Sequence, residues 1–223
     1  MRLFTAVYPS ADAAGHLDLA LAGVGGGALS DPGRGLRWVP REQRHVTLVF
    51  HGEVPDGAVP GYVDALRAAL ADVPPFELAL AGSGSFGGRT LWVGVAGAVD
   101  DLRRAGEAAQ DAAAAAGLPA SDRTSGRPHL TVARATVRAA EGRRRVDGAR
   151  GGTRGRVAEA SPLVPWARAL AVYRGPSWRV DAVHVVASRL GEGRSGGPLH
   201  EDVAVVPLTG REGARPPVSS WEA

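Results

Sequence analysis

The chain has 223 residues, of which 44% are hydrophobic, so it is long enough to bury a core as one large domain or two small lobes. It contains no cysteine, which excludes a disulfide framework, a thiol nucleophile and a thiolate metal site. Its formal net charge is +3 and every Lys/Arg position is an arginine, a balance that permits polyanion binding without requiring it.

The first residues run directly into an alternating apolar segment and show no pattern of a secretory signal peptide. No apolar run approaches the roughly 20 residues that a membrane-spanning helix needs. We therefore expect a cytoplasmic protein without a membrane partner, and we expect it to be a monomer.

Hydrophobic periodicity and turn residues predict strands and helices that alternate along the chain. Strands are predicted at 2–8, 44–51, 76–81, 90–96, 128–134, 180–190 and 203–208. Helices are predicted at 10–24, 62–73 and 99–118, with a fourth in the later part of 161–173. This order indicates an α+β fold in which most strands are antiparallel.

Residues 141–156 alternate arginine with glycine and lack the apolar side chains of a folded element. We predict a flexible Arg/Gly-rich loop here. It is either a solvated linker or a segment that attracts RNA electrostatically.

The sequence His-x-Thr occurs twice, in segments that resemble each other along their length. Residues 44–50 read RHVTLVF, and residues 128–134 read PHLTVAR. In an extended strand the side chains alternate between two faces, so His45 and Thr47 share one face while their apolar neighbours share the other. The residues expected on this second, core-facing side are Val46, Leu48 and Phe50.

The side chains of the second copy alternate in the same way, with His129 and Thr131 on one face and Leu130 and Val132 on the other. Each copy belongs to its own set of strands and helices, which predicts two similar lobes. We therefore predict one bilobal domain over residues 1–223, with helices outside and both His-x-Thr strands facing a central cleft.

Two imidazoles that face one substrate can act as base and acid in a single turnover, because their ordinary pKa of about 6.5 lies near neutrality. Threonine hydroxyls can donate to the non-bridging oxygens of a phosphate. This set suits the hydrolysis of a cyclic phosphodiester and needs neither a covalent nucleophile nor a metal. No zinc-type ligand pattern, G-x-S-x-G turn or Walker loop accompanies it in the sequence.

The segments RHVTLVFHGEVP and RPHLTVAR resemble the paired H-x-T/S-x motifs of the 2H phosphoesterase superfamily. The most similar branch is that of the RNA 2′,3′-cyclic phosphodiesterases, historically called 2′-5′ RNA ligases. The opening RLFTAVYP, the strand TLWVGV and the late VHVVASRL extend the likeness over most of the chain. The resemblance implies a bilobal pseudo-twofold fold, no metal or cofactor, and hydrolysis of RNA 2′,3′-cyclic phosphate ends to 2′-phosphomonoesters. It also implies a reverse reaction that joins RNA through a 2′-5′ linkage.

Carried over by motif, His45 and His129 are the expected acid–base pair, and Thr47 and Thr131 are the expected phosphate anchors. The sequence does not say which histidine is the base, and our working assignment is His129 as base and His45 as acid. The expected partners are RNA with 2′,3′-cyclic phosphate ends or small cyclic nucleotides.

Two arginines beside the second motif are candidate phosphate ligands. Arg134 ends the motif, where the family commonly has a basic residue, but strict alternation places it opposite His129 unless the strand bends. Arg127 precedes the motif and either contacts phosphate or shapes the loop. The remaining histidines, His16, His51, His184 and His200, are expected at surface or structural positions, and the aromatic residues Phe50 and Trp92 are expected in the core.

Two other functions remain open on the sequence alone. One is an enzyme acting on a different small cyclic phosphate, such as an ADP-ribose derivative. The other is a module that binds RNA ends without turnover.

Overall fold

The structure is a computed structural model that describes residues 1–25, 35–122, 126–136, 161–193 and 197–210. The Arg/Gly-rich loop predicted at 141–156 lies outside the described residues. Within those ranges, no helix is both long enough and apolar enough to cross a membrane.

The described residues form strands and helices that alternate along the chain. The strands are β1 Arg2–Val7, β2 Leu36–Trp38, β3 Val46–Glu53, β4 Phe76–Phe86, β5 Thr90–Gly97, β6 Ser121–Asp122, β7 His129–Ala135, β8 Arg174–Val180, β9 Ala182–Arg189 and β10 Leu199–Pro207. The α-helices are α1 Ala11–Gly25, α2 Val59–Leu70, α3 Val99–Ala115 and α4 Val164–Ala169. The predicted α+β class is confirmed.

All these strands belong to one sheet, and every pairing in it is antiparallel. The strand order β10-β9-β1-β3-β7-β5-β4-β8 divides into two four-stranded halves that meet between β3 and β7. The short strand β2 pairs with β7, and β6 pairs with β3, so each half of the chain lends a short strand to the other half. The two predicted lobes are therefore two halves of one continuous sheet, related by an approximate twofold symmetry of strand order.

The helices cover one face of the sheet and enclose the main hydrophobic core with it. Leu17 and Leu21 of α1, Leu66 of α2 and Leu102 of α3 are all fully buried there. Helix α1 follows β1 in the chain but packs against β8, and α3 follows β5 but packs against β3. The described helices thus hold the two halves of the sheet together and do not cover its opposite face, which is the open face within the described part of the chain.

The sequence prediction missed β8, the edge strand next to β4. Only Trp178 and Val180 of this strand are buried, and Pro176 lies in its middle, so it shows no clear alternation. Proline is tolerated in a strand whose N–H side has no partner, which is the situation at a sheet edge. β4 is also longer than predicted, because the strand continues through Gly84 beneath the Trp92 indole. A Cβ at position 84 would overlap that indole.

Candidate active site

The two His-x-Thr segments meet at their first residues. Val46 of β3 pairs with Leu130 of β7, and both side chains are fully buried on the helix side of the sheet. In an antiparallel pair, opposite residues point to the same face and their neighbours along each strand point to the other. The motif histidines and threonines therefore share the open face, at the point where the two halves of the sheet meet. These four residues, each partly exposed, are His45, Thr47, His129 and Thr131.

A β-bulge follows the first motif and reverses the alternation of β3. Thr47 and Val49 face consecutive residues of β1, so Leu48 between them is an extra residue. Leu48 and Val49 are both fully buried, and Phe50 then turns to the open face, where it packs in a small cluster with Phe4. The expectation that Phe50 belongs to the main core is wrong, because it assumed unbroken alternation.

After this bulge His51 falls on the core side and not at the surface position expected from the sequence. His51 is itself the extra residue of another bulge, because Phe50 and Gly52 face consecutive residues of β1. His51 is 3% exposed, and its Nδ1–H donates to the carbonyl of Pro119 at 3.0 Å. Its Nε2 therefore accepts a hydrogen bond from the Thr5 hydroxyl at 3.1 Å, and the Tyr62 hydroxyl lies 2.6 Å from Thr5 Oγ1. Burial lowers the pKa of His51, so this hydrogen-bonded chain holds a neutral imidazole.

A bulge in β7 brings Arg134 to the open face. Thr131 and Ala133 face consecutive residues of β5, so Val132 is the extra residue. Arg134 consequently shares the face of the motif, through the strand bend that the sequence analysis required. Its cross-strand partner on β2 is Arg37, which shares that face. Sequence reasoning missed Arg37 because its position depends on the β2–β7 register.

The two motif imidazoles are oriented by the same local hydrogen bond. His45 Nδ1 lies 2.8 Å from the carbonyl oxygen of Gln43, and His129 Nδ1 lies 2.9 Å from that of Arg127. A carbonyl oxygen can only accept, so each Nδ1 carries the proton. Each neutral ring therefore has its lone pair on Nε2, the nitrogen left for proton transfer.

His45 lies in an aromatic environment. Phe4 stacks on it with ring centroids 4.6 Å apart and an interplanar angle of 26°, and His200 meets it edge-on at 5.3 Å. Burial lowers the pKa of His45 to about 4, and the charges of His200, Arg134 and His129 add to this effect, against a backbone hydrogen bond that raises it. His45 is thus neutral near pH 7.

His129 has different neighbours. Phe86, which is 44% exposed, meets its ring edge-on at 4.7 Å, and the Trp92 ring lies 6.2 Å away. The Arg127 guanidinium lies over the Trp92 ring, 5.3 Å from its centroid. This candidate phosphate ligand and His129 are therefore neighbours of the same indole. Trp92 is 5% exposed, but it pairs with Thr131 and so lies on the open face, outside the main core where the sequence placed it.

His200 was expected at a surface or structural position, yet it lies within the site. Its ring meets Phe4 edge-on at 5.0 Å as well as His45, and its buried Nδ1 has no hydrogen-bond partner in the described part of the chain. His184 pairs at 2.9 Å with a carboxylate of β10, and His16 hydrogen-bonds at the surface. No local motif marks His200, because only the strand order β10-β9-β1 brings it to the site.

Comparison with known proteins identifies the family of this chain. The family model described as the 2′-5′ RNA ligase superfamily matches residues 28–192. An RNA 2′,3′-cyclic phosphodiesterase from Geobacillus stearothermophilus is 41% identical over 103 residues, which are 44% of this chain and 32% of that protein. An RNA 2′,3′-cyclic phosphodiesterase from Thermus thermophilus is 36% identical over 143 residues, which are 60% of this chain and 68% of that protein. The chain thus spans about a third of the length of the first of these relatives.

The fold is similar to that of Escherichia coli LigT in its apo form. That structure has a TM-score of 0.63 and 20% sequence identity, and the match covers 93% of this chain and 97% of LigT. The family model covers most of the chain, so the resemblance inferred from the paired motifs is confirmed. The chain belongs to the 2′-5′ RNA ligase superfamily of 2H phosphoesterases.

Proposed function

We propose that this protein hydrolyses RNA 2′,3′-cyclic phosphate ends to 2′-phosphomonoesters without a metal, with His45 and His129 as the acid–base pair. One observation carries the proposal: two imidazoles, each held through Nδ1 by a backbone carbonyl, stand on either side of the point where the motif strands meet. The names of the curated relatives support the substrate class.

In the proposed reaction, the neutral imidazole takes a proton from water through Nε2 as the water oxygen attacks phosphorus. The protonated imidazole gives its Nε2 proton to the 3′ oxygen as the P–O3′ bond breaks. The phosphate stays on the 2′ oxygen, and exchange of protons with solvent resets both rings. Thr47, Thr131 and Arg134 face the same side of the sheet and would hold the non-bridging oxygens as negative charge develops.

The lowered pKa of His45 favours the base role for this residue, the reverse of the assignment made from the sequence. A bound phosphate anion would raise that pKa, so the roles must be separated on the substrate complex. A cyclic substrate with sulfur in place of the 3′ bridging oxygen does this, because a thiolate leaves without being protonated. The Gln variant of the acid should recover most of its rate on this substrate, and the Gln variant of the base should not.

The experiment that tests the function is a product assay with an oligonucleotide that ends in a 2′,3′-cyclic phosphate, in buffer containing EDTA. Phosphorus NMR should show the cyclic signal replaced by that of a 2′-phosphomonoester. A 3′-phosphate product, or no turnover, would contradict the proposal. Binding without turnover would favour the RNA-end-binding module, and turnover confined to non-RNA cyclic phosphates would favour the other enzyme.

The same assay covers the reverse reaction. A 5′-hydroxyl oligonucleotide in place of water as the nucleophile would give a 2′-5′ phosphodiester, with the same two proton transfers. Its formation should depend on both motif histidines, because the same two rings carry the protons.

A further inference from the structure

A cleft of about 590 Å³ opens directly beside His129. Gly94, in its wall, is the cross-strand partner of His129 in the β5–β7 pairing. Arg127, also in its wall, supplies the carbonyl that orients the His129 imidazole. The cleft therefore adjoins His129 on the second half of the sheet, and its walls do not include the four motif residues.

Small residues create the space in this cleft. Ala81, Gly82, Gly94 and Ala171 contribute to its walls. A Cβ at Gly94 would lie 2.7 Å from the carbonyl oxygen of Ala81, so this position accepts no larger residue. The volume lies within the range of pockets that hold a molecule of nucleotide size.

The charged groups in the cleft walls are both arginines. Arg127 lies over Trp92, and Arg103 reaches the cleft from the first turns of α3. Arg103 contacts Asp100 in an exposed i,i+3 ion pair, a kind of pair that is weak enough to be exchanged for a phosphate. The described residues that line the cleft include no aspartate or glutamate. Two guanidinium groups without a neighbouring wall carboxylate suit the phosphodiester of an RNA strand.

We propose that this cleft binds the nucleotide that precedes the cyclic-phosphate residue of RNA, with Arg103 and Arg127 holding the connecting phosphodiester. This rests on the proposed function, because the cleft adjoins His129, where the cyclic phosphate would react. Such a cleft would make an RNA strand, and not a free mononucleotide, the preferred substrate.

The test is equilibrium binding by calorimetry, which needs no turnover. The probes are a diribonucleotide that ends in a 2′-phosphate and the matching mononucleoside 2′-phosphate, at several salt concentrations. The protein should bind the dinucleotide about tenfold more tightly than the mononucleotide. A plot of log affinity against log salt concentration should also be steeper for the dinucleotide by about 0.7, the value for one added phosphate contact to a single strand.

A matched pair of variants assigns this preference to the cleft. Arg103→Gln should reduce the ratio of the two affinities about threefold or more, because it removes one guanidinium group. Arg104→Gln should keep the ratio, because Arg104 makes the equivalent ion pair with Asp101 but does not line the cleft. Equal affinity for both probes in the unmodified protein, or equal effects of the two variants, would overturn the proposal.

A steric pair provides a second measurement that does not depend on charge. Ala171→Trp should fill the cleft and remove the preference for the dinucleotide. Val172→Trp, at a neighbouring residue that is 91% exposed, should retain it. Cyclic phosphate hydrolysis without a dinucleotide preference would overturn this inference alone, and the preference without hydrolysis would overturn the proposed function alone.

Discussion

Acidification should destabilise the folded protein through His45. Burial lowers the pKa of this residue from 6.5 to about 4, so at pH 5 the unfolded chain binds a proton there and the folded chain does not. This pH lies about 1.5 units below the unfolded pKa, and each unit corresponds to about 1.36 kcal/mol, which makes the loss about 2 kcal/mol. The loss begins as the pH falls through 6.5 and ends near pH 4, where folded His45 is protonated too.

His45→Gln isolates this effect because glutamine does not titrate. Urea unfolding measures the unfolding free energy at pH 7.5 and at pH 5. Between these two pH values, the unfolding free energy of the unmodified protein should fall by about 2 kcal/mol more than that of the variant. Burial also lowers the pKa of His51 and of His200, but these residues remain in both proteins and their losses cancel. Equal losses in the two proteins, or an imidazole NMR titration that places the pKa of His45 at or above 6.5, would refute the reasoning.

Substitutions at four further positions test other parts of the structure, and a fifth substitution serves as a control. Thr47→Val and Thr131→Val should each lower kcat about a hundredfold without changing the urea midpoint, because each removes one hydroxyl donor to the phosphate; unchanged kcat would exclude that role. Tyr62→Phe should lower the unfolding free energy by about 1 to 2 kcal/mol, because it breaks a buried hydrogen bond. Tyr173→Phe, which breaks a more exposed hydrogen bond, should lower it less, and equal losses would contradict the buried network. Gly84→Ala should lower the unfolding free energy by about 1 to 3 kcal/mol and shift the tryptophan fluorescence, because the new Cβ displaces Trp92; an unperturbed spectrum would argue against that packing.

The sequence was sufficient to predict the four motif residues on one face of two strands. Alternation depends only on the two-residue period of an extended strand, and it holds from His45 to Thr47 and from His129 to Thr131. The repeat of the motif also led to the twofold arrangement, because two equivalent strands are most simply placed on either side of one site.

The rest depended on features that a local pattern does not encode. The extra residues Leu48 and Val132 reverse the alternation, which places Phe50 and Arg134 on the open face and His51 in the core. A bulge is fixed by the partner strand, so it cannot be read from the bulged strand alone. Likewise, only strand order brings His200 and Arg37 to the site.

The acid–base pair is tested most directly by the rate of cyclic phosphate hydrolysis in His45→Gln, His129→Gln and the double variant. Each single variant should lose about a hundredfold to ten-thousandfold in kcat, with the urea midpoint checked at pH 7.5 to confirm folding. The double variant should lose little more than either single variant, because the two rings act in one step and their effects do not add. A single variant that keeps more than about a tenth of the rate, or losses that multiply in the double variant, would contradict the two-histidine mechanism.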